Sequence, residues 1–288
     1  MDIIRSPAEW GFAQLRNLAG YTTSVAQTLA SREEAQAAPP PTIHRIGVGD
    51  LREALAQGFH DFEAARSDVL MLAFVYPVCG LLLWWLAASH DLLPIIVPLV
   101  TGFALLGPVA AVGLYEMSRQ REAGRDISWS SAFEVVKSPA FGSIVVLGLA
   151  LLAIFLIWLG VAQTIYSAFL GAEPPKSVSM LLHDVLTTRV GWAMAACGIG
   201  VGFLFAALVL SISAVSFPML LDRNVGPGTA VVTSLRTILA NPRVMAIWGL
   251  IVAVSLFAAS IPALLGLIVV VPVLGHATWH LYRKLVTF

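Results

Sequence analysis

Six long runs of uncharged, apolar residues constrain this chain more than any other feature. None of the runs contains Asp, Glu, Lys or Arg, and a bilayer-crossing helix needs about 20 such residues. The 288-residue chain is 58% hydrophobic and only 12% charged, whereas soluble domains are about a quarter charged. The runs are too long and too continuous for barrel strands. They predict an all-α membrane protein with six transmembrane helices: Val69–Ser89, Leu92–Tyr115, Phe141–Leu170, Val190–Leu221, Val244–Ser260 and Ile261–Leu281.

The last two runs are contiguous, and Ser260-Ile261-Pro262 separates them. Proline cannot continue the helical hydrogen-bond ladder and favours a new helix start, so we expect a tight hairpin here. With six spans, both chain termini lie on the same side of the membrane. That side holds fifteen of the 17 Lys and Arg residues, and only Lys176 and Arg189 lie on the other. The positive-inside rule therefore predicts cytoplasmic N- and C-termini.

The chain ahead of the membrane domain is polar. Residues 1–42 are predicted to form a cytoplasmic N-terminal arm that ends in a Pro-rich linker, and residues 43–288 form the six-span domain. Asp50 and Glu53 have the spacing of a helix-capping box. The apolar residues of the helix that follows predict one face for packing: Leu51, Leu55, Phe59 and Phe62.

A repeated unit connects the middle spans. After span two come charges from Glu116 to Asp126, a short helix from Ser128 to Lys137, and Ser138-Pro139 ahead of span three. After span four come Asp222-Arg223-Asn224, a short amphipathic helix from Thr229 to Ala240, and Asn241-Pro242 ahead of span five. This pattern predicts a parallel internal repeat of spans two and three with spans four and five, joined by short amphipathic cytoplasmic helices. Parallel repeats occur in some transporters.

Several function classes lack the residues they need. The formal net charge is zero, so the chain has no nucleic-acid footprint. The span centres carry no charge, which argues against a proton-coupled pump or a voltage sensor. Cys79 and Cys197 lie inside apolar runs and are expected to be packing residues. No spacing places a Ser-His-Asp or paired-carboxylate arrangement, so we expect no catalytic residue and a protein that is not an enzyme.

His276 and His280 are four residues apart and share a helix face. Two histidines at this spacing can hold a metal ion or engage a haem, which makes both residues candidates for cofactor binding. The alternative is structural, because a neutral imidazole can hydrogen-bond a neighbouring helix. The sequence offers no third ligand at a matching spacing, so we expect no metal and no cofactor.

Acidic and basic residues mark the cytoplasmic ends of the descending spans. We expect a structural polar cluster there, in which Glu116 or Asp222 pairs with an Arg or His of another helix. A clamp of this kind would hold the bundle together; alternatively, the cluster is the floor of a site. Its predicted members are Glu116, Arg119, Asp222, Arg223, His276 and His280.

Several strings in the sequence are distinctive together: Gly275 to Arg283 (GHATWHLYR), Phe217-Pro218 with Leu221-Asp222-Arg223, Asn241-Pro242 with Trp248, Gly113 to Glu116 with Ser118-Arg119, and Asp50 with Ala54-Leu55 and Gly58. With these strings the chain, from about residue 43 to 288, resembles the proteobacterial integral-membrane family catalogued as domain of unknown function 2189. The resemblance implies a location in the bacterial inner membrane. It transfers no activity and no catalytic residue.

From these features we expect a non-enzymatic membrane component: a scaffold, an assembly factor or an accessory subunit. Its partners would be the lipid bilayer and another membrane protein or complex. The first alternative is a transporter or channel for an uncharged solute, which the repeat and the span prolines favour. The second is a metal- or haem-binding membrane protein that uses His276 and His280.

Overall fold

The computed structural model describes residues 41–64, 69–70, 73–89, 92–171, 173–175 and 177–288, so nearly all of the predicted arm lies outside the described residues. The fold is all-α, with one two-stranded antiparallel pairing of β1 (Thr42–Ile43) with β2 (Val286–Thr287). The α-helices are, in chain order, α1 Val48–Ala64, α2 Val75–Ser89, α3 Ile96–Gly102, α4 Gly107–Ala110, α5 Val112–Glu122, α6 Phe141–Leu170, α7 Val178–Thr187, α8 Arg189–Ser213, α9 Ser216–Asp222, α10 Pro227–Ala240, α11 Pro242–Ser260 and α12 Leu267–Leu285.

Four helical stretches in the described part of the chain are long and apolar enough to cross a membrane: Leu93–Glu122, Phe141–Leu170, Arg189–Asp222 and Pro242–Ser260. Most of their surface is not buried by the rest of the protein. In the Arg189–Asp222 stretch, only 6% of the most apolar window is buried. Such exposure suits helices whose apolar faces are solvated by lipid.

The first and sixth predicted spans are not among these four. In place of Val69–Ser89, the regular helix α2 has 15 residues, which is about 22 Å of helix against a hydrocarbon core of about 30 Å. In place of Ile261–Leu281, residues 261–266 form a turn and α12 begins at Leu267. The break predicted at Pro262 is present, and Ala263 and Leu264 adopt positive φ there.

The second predicted span, Leu92–Tyr115, is one apolar stretch but not one regular helix. It begins with the 3₁₀ turn Leu93–Ile95, and a second 3₁₀ turn, Phe103–Leu106, separates α3 from α4. Pro94 is the second residue of the first 3₁₀ turn, and Pro108 is the second residue of α4. A proline removes a backbone donor and clashes with the preceding turn, so each one restarts the helix.

The two predicted repeat units differ in structure, and the repeat stays a prediction. Glu116 does not end its span, because α5 continues to Glu122, whereas α9 ends at Asp222 as predicted. The first connecting helix is a 3₁₀ helix, Trp129–Lys137, capped by Ser128. The second is the α-helix α10, which begins at Pro227, two residues before the predicted start.

Helix α1 packs across α12 by a face that differs from the predicted one. Its buried residues are Leu51, Ala54, Gly58, Asp61 and Phe62. Of the predicted stripe, Leu55 is half-buried and Phe59 is 48% exposed. The face of α1 that contacts α12 includes the small residue Gly58. The two backbones are so close there that a Cβ added to Gly58 would lie 2.5 Å from the Ala277 backbone nitrogen. Hydrophobicity alone does not show this face, because close helix approach selects for small size.

Two local contacts fix the ends of this packing. The α1 helix begins two residues before Asp50, and the Asp50 carboxylate reaches back to accept from the Gly47 amide at 2.8 Å. The buried Asn241 side chain, between α10 and α11, accepts from the Ile46 amide at 2.9 Å and donates to the His44 carbonyl at 3.0 Å. Asn241 thereby connects the segment before α1 to the start of α11.

Candidate functional site

A buried carboxylate joins α1, α5 and α12. Asp61 is 6% exposed and accepts three hydrogen bonds: from Ser118 Oγ at 2.6 Å, Arg121 Nη1 at 2.6 Å and His280 Nε2 at 2.8 Å. Ser118 and Arg121 lie on α5, and His280 lies on α12. We call Asp61, Ser118, Arg121, His276 and His280 the Asp61 cluster. Ser118 and Arg121 are three residues apart, so they lie on the same side of α5 and both reach Asp61 of α1.

The hydrogen-bond directions within the Asp61 cluster follow from its donors. An ionised carboxylate only accepts, so Ser118 gives its single proton to Asp61. Ser118 Oγ also lies 2.8 Å from His276 Nδ1, and that nitrogen must therefore be the donor. The buried Nε2 of His276 has no hydrogen-bond partner among the described residues. His276 therefore hydrogen-bonds to Ser118, whereas His280 hydrogen-bonds to Asp61 directly.

The partners of Asp61 favour its charged form. Burial acts to raise the pKa of the Asp61 carboxyl, but hydrogen bonds from His280 and Ser118, with the positive field of the histidines, hold the pKa below its ordinary value. A carboxylate with this many donors stays ionised when buried. The cluster is therefore a charged centre in which the carboxylate of α1 has partners from two other helices, α5 and α12.

An open pocket of about 380 Å³ lies over the Asp61 cluster. Its lining is polar and carries charges of both signs. The lining residues are Gln57, Asp61, Ser118, Arg121, Glu122, His280, Arg283 and Lys284. The cations in this lining are paired with carboxylates. Arg121 contacts Asp61 at 2.6 Å, Arg283 contacts Glu122 at 3.0 Å, and Lys284 contacts Glu53 at 2.8 Å. The pocket is a polar, mutually neutralised depression at one end of the molecule.

The six residues of the predicted polar cluster separate into groups. Glu116 is 2% exposed and pairs with Arg119 of its own helix through two hydrogen bonds, at 2.8 and 2.7 Å. Gln120 donates to Glu116 at 2.8 Å and to Glu134 at 2.7 Å, so this group ties α5 to the 3₁₀ helix. Glu116 does not reach His276 or His280, which belong to the Asp61 cluster.

Asp222 makes the contact with another helix that the sequence predicts. Its Oδ2 accepts from Tyr282 Oη at 2.8 Å and lies 3.5 Å from Arg283 Nη1, both on α12. Arg223 lies 3.4 Å from the same oxygen. Glu122 adds a parallel connection, accepting from Trp279 Nε1 at 3.0 Å and Arg283 Nε at 3.0 Å. Carboxylates of α5 (Glu122) and α9 (Asp222) therefore both accept hydrogen bonds from side chains of α12.

Sequence reasoning placed His276 and His280 at this end but missed their partners. Asp61, Ser118 and Arg121 were not predicted as site residues. One signal for Asp61 was available, since it falls seven residues after Ala54 on the small-residue stripe of α1. An acid on a buried stripe needs a partner on the facing helix. Ser118 and Arg121 carry no comparable signal, because their roles depend on the position of α1.

The arrangement does not have the geometry of a nucleophilic site. Ser118 is 1% exposed and its hydroxyl is held between Asp61 and His276, so its oxygen is not open to a substrate. His276 Nδ1 and His280 Nε2 converge on Ser118 and Asp61 rather than on a shared ion. Within the described residues, no group of three or more His, Cys, Asp and Glu side chains is arranged to hold a metal ion.

Comparison with known proteins agrees with this membrane architecture. Residues 96–222 match the model of a family described as "Predicted integral membrane protein (DUF2189)". The predicted family resemblance is confirmed. The DUF2189 segment contains Ser118, Arg121 and Asp222, while Asp61, His276 and His280 lie outside it. The match is shorter than the predicted range of residues 43–288. No curated protein and no solved structure matches the chain.

Proposed function

We propose that this protein is a non-enzymatic membrane component, a scaffold, assembly factor or accessory subunit that presents a rigid polar end to another protein. The observation that carries the proposal is the use of Asp61, whose carboxylate is hydrogen-bonded from α5 and α12. These buried polar groups therefore bond to one another and connect three helices. The mixed-charge pocket above them offers a partner surface with defined shape and charge.

The proposal includes six spans with both termini cytoplasmic in a bacterial inner membrane. The ends of α5, α9 and α12 meet around the Asp222 and Glu122 contacts, as they must if all three helices descend to one face. The basic residues Arg121, Arg223 and Arg283 lie at this end. By the positive-inside rule this end is cytoplasmic. The parallel repeat is part of the same proposal, since it pairs spans that cross in one direction.

The structure gives less support to the two alternative functions, a transporter or channel and a metal- or haem-binding protein. A transporter needs a polar path, and the pocket over Asp61 shares no lining residue with a second pocket of about 430 Å³ at Leu92, Pro94 and Gln163. For a metal or haem site, His276 Nδ1 and His280 Nε2 are already hydrogen-bonded to Ser118 and Asp61, and the described residues place no third His, Cys, Asp or Glu ligand with them. We therefore propose neither.

The experiment is site-specific photo-crosslinking in native membranes. A photoreactive residue at Gln57, which is exposed at the pocket, is expected to give one discrete adduct with a partner protein. The matched control is the same residue at Ser179, which is exposed on α7 at the far end of α8. The Gln57 adduct should disappear when Lys284 and Arg283 are both changed to Glu, because these cations line the pocket. Absence of any Gln57 adduct, or equal adducts from both positions, would reject the scaffold function.

A further inference from the structure

Helix α10 is amphipathic, but its polar face is buried and its apolar face is exposed. It buries small and polar residues, namely Ala230, Thr233, Ser234 and Thr237. It exposes an apolar stripe instead: Val232 is 45%, Leu235 39% and Leu239 78% exposed. Residues spaced by three, four and seven lie on one side of a helix, so these three form a continuous ridge. A helix surrounded by water would present the opposite pattern.

The buried polar face of α10 has identified partners in the protein. Ser234 Oγ donates to the Ser211 carbonyl at 2.8 Å and accepts from the Val215 amide at 3.3 Å. These backbone groups lie at the break between α8 and α9, where helical bonding is interrupted. The Ser234 hydroxyl satisfies them and fixes the rotation of α10. The apolar ridge must therefore face away from the protein.

The position of α10 places this ridge at a membrane surface. Only Asn241 separates the end of α10 from α11, one of the four stretches able to cross a membrane. A helix joined to a span by one residue cannot lie far from the boundary of the hydrocarbon. An apolar ridge at this depth is the arrangement of an interfacial helix.

Basic residues beside the ridge are not neutralised by the protein. Arg236 and Arg243 are exposed, and no ion pair joins either one to a carboxylate in the described residues. Around the pocket, by contrast, Arg121, Arg283 and Lys284 all have carboxylate partners. Exposed cations next to an apolar ridge are complementary to anionic lipid headgroups over acyl chains.

The 3₁₀ helix Trp129–Lys137 repeats this arrangement. Phe133 is 55% and Val136 41% exposed, and residues three apart share a face of a 3₁₀ helix. Trp129, 47% exposed, packs edge-on against Phe133. The helix ends at the exposed Lys137, and the spanning helix α6 begins four residues later. Two connecting segments thus share an exposed apolar surface, a basic residue and a position just ahead of a span.

We infer that α10 and the 3₁₀ helix Trp129–Lys137 lie in the plane of one leaflet and bind anionic phospholipid. Their apolar ridges contact acyl chains, and Lys137, Arg236 and Arg243 contact the lipid phosphates. This surface would fix the depth and rotation of the bundle in the bilayer. The inference does not depend on the scaffold function, because the lipid surface and the Asp61 pocket involve different residues.

The test uses the full chain in vesicles of phosphatidylcholine, or of phosphatidylcholine and phosphatidylglycerol in equal parts. In a background with Cys79→Ser and Cys197→Ser, a fluorescent label is placed at Leu239→Cys. The matched control is Asn224→Cys, an exposed polar position in the loop before the same helix. The Leu239 label should be quenched at least about threefold more strongly by a lipid-attached quencher than by an aqueous one, and the Asn224 label should show the reverse.

The charge component has its own readout. Quenching of the Leu239 label by lipid should increase when phosphatidylglycerol is present, and Arg236→Gln with Arg243→Gln should abolish that increase. Leu239 is 78% exposed, so an unchanged unfolding midpoint is expected and verifies folding. Equal aqueous quenching at both positions would overturn the inference. Protection of Leu239 that depends on the protein-to-lipid ratio would assign the ridge to a second copy. Protection that is lost on deleting residues 1–40 would assign it to the N-terminal arm. Either result would also overturn it.

Discussion

At the scale of single residues, the Asp61 carboxylate is the group whose loss should cost the most. Asp61→Ala would leave Arg121, His280 and Ser118 without their shared acceptor inside the protein. Stranding one side of a buried charged pair typically costs about 3–5 kcal/mol. We expect the free energy of unfolding to fall by this amount, with a clear drop in the thermal midpoint of the purified protein in mild detergent.

The matched control for this change is Asp126→Ala. Asp126 is exposed in the loop after α5, and surface substitutions usually change stability by less than about 0.5 kcal/mol. Equal midpoints for the two variants would show that the Asp61 cluster contributes nothing to stability.

The same carboxylate predicts an acid dependence. Burial alone would raise the pKa of Asp61, but hydrogen bonds from His280 and Ser118 bring it below the ordinary value of 3.8. A pKa depressed in the folded state gives stability that is complete above the unfolded pKa and is lost as the pH falls through the folded pKa. The advantage of the wild-type protein over Asp61→Asn in thermal midpoint should therefore be constant above about pH 5 and shrink below pH 3.8. An advantage that grows in acid would contradict this assignment.

At the scale of secondary-structure elements, the crossing of α1 over α12 depends on a missing side chain. A Cβ on Gly58 would lie 2.5 Å from the Ala277 nitrogen and 2.7 Å from its Cα. Backbone atoms cannot rotate away, so Gly58→Ala must displace α1 and disturb the Asp61 hydrogen bonds. We expect a loss of about 1–3 kcal/mol, measured as a lower thermal midpoint.

Gly49→Ala is the control within the same helix. A Cβ at Gly49 meets no atom within 4 Å, and alanine is the better helix former by about 0.5–1 kcal/mol. Gly49→Ala should leave the midpoint unchanged or raise it slightly. If both alanine variants behave alike, the close approach of α1 and α12 does not occur.

At the scale of the whole molecule, the six-span topology makes an accessibility prediction. In the background without native cysteines, Ser179→Cys on α7 should react with a membrane-impermeant thiol reagent applied to intact cells from outside. Thr229→Cys at the start of α10 should react only after the membrane is made permeable. Both positions are exposed in the structure, so burial does not explain the difference. Reaction of Thr229→Cys from outside, or equal reaction of both, would reject the topology.

The sequence by itself determined that the chain is an all-α membrane protein, because uncharged apolar runs of this length have no other stable solvent. It also located the break at Pro262 and the helix end at Asp222, since both follow from local backbone chemistry. The family resemblance was readable in the same way, from short strings of residues. These features depend on neighbours along the chain, which a sequence displays directly.

Only the tertiary structure decided which polar residues meet. Glu116 pairs within its own helix, while His276 and His280 join Asp61, which lies more than two hundred residues earlier in the chain. The structure also decided that α1 approaches α12 closely at Gly58, opposite Ala277, and that α10 turns its apolar ridge outward. The physical reason is common to all of these. Helix rotation and crossing are set by the shape of the partner surface, and a carboxylate is placed by donors on distant elements.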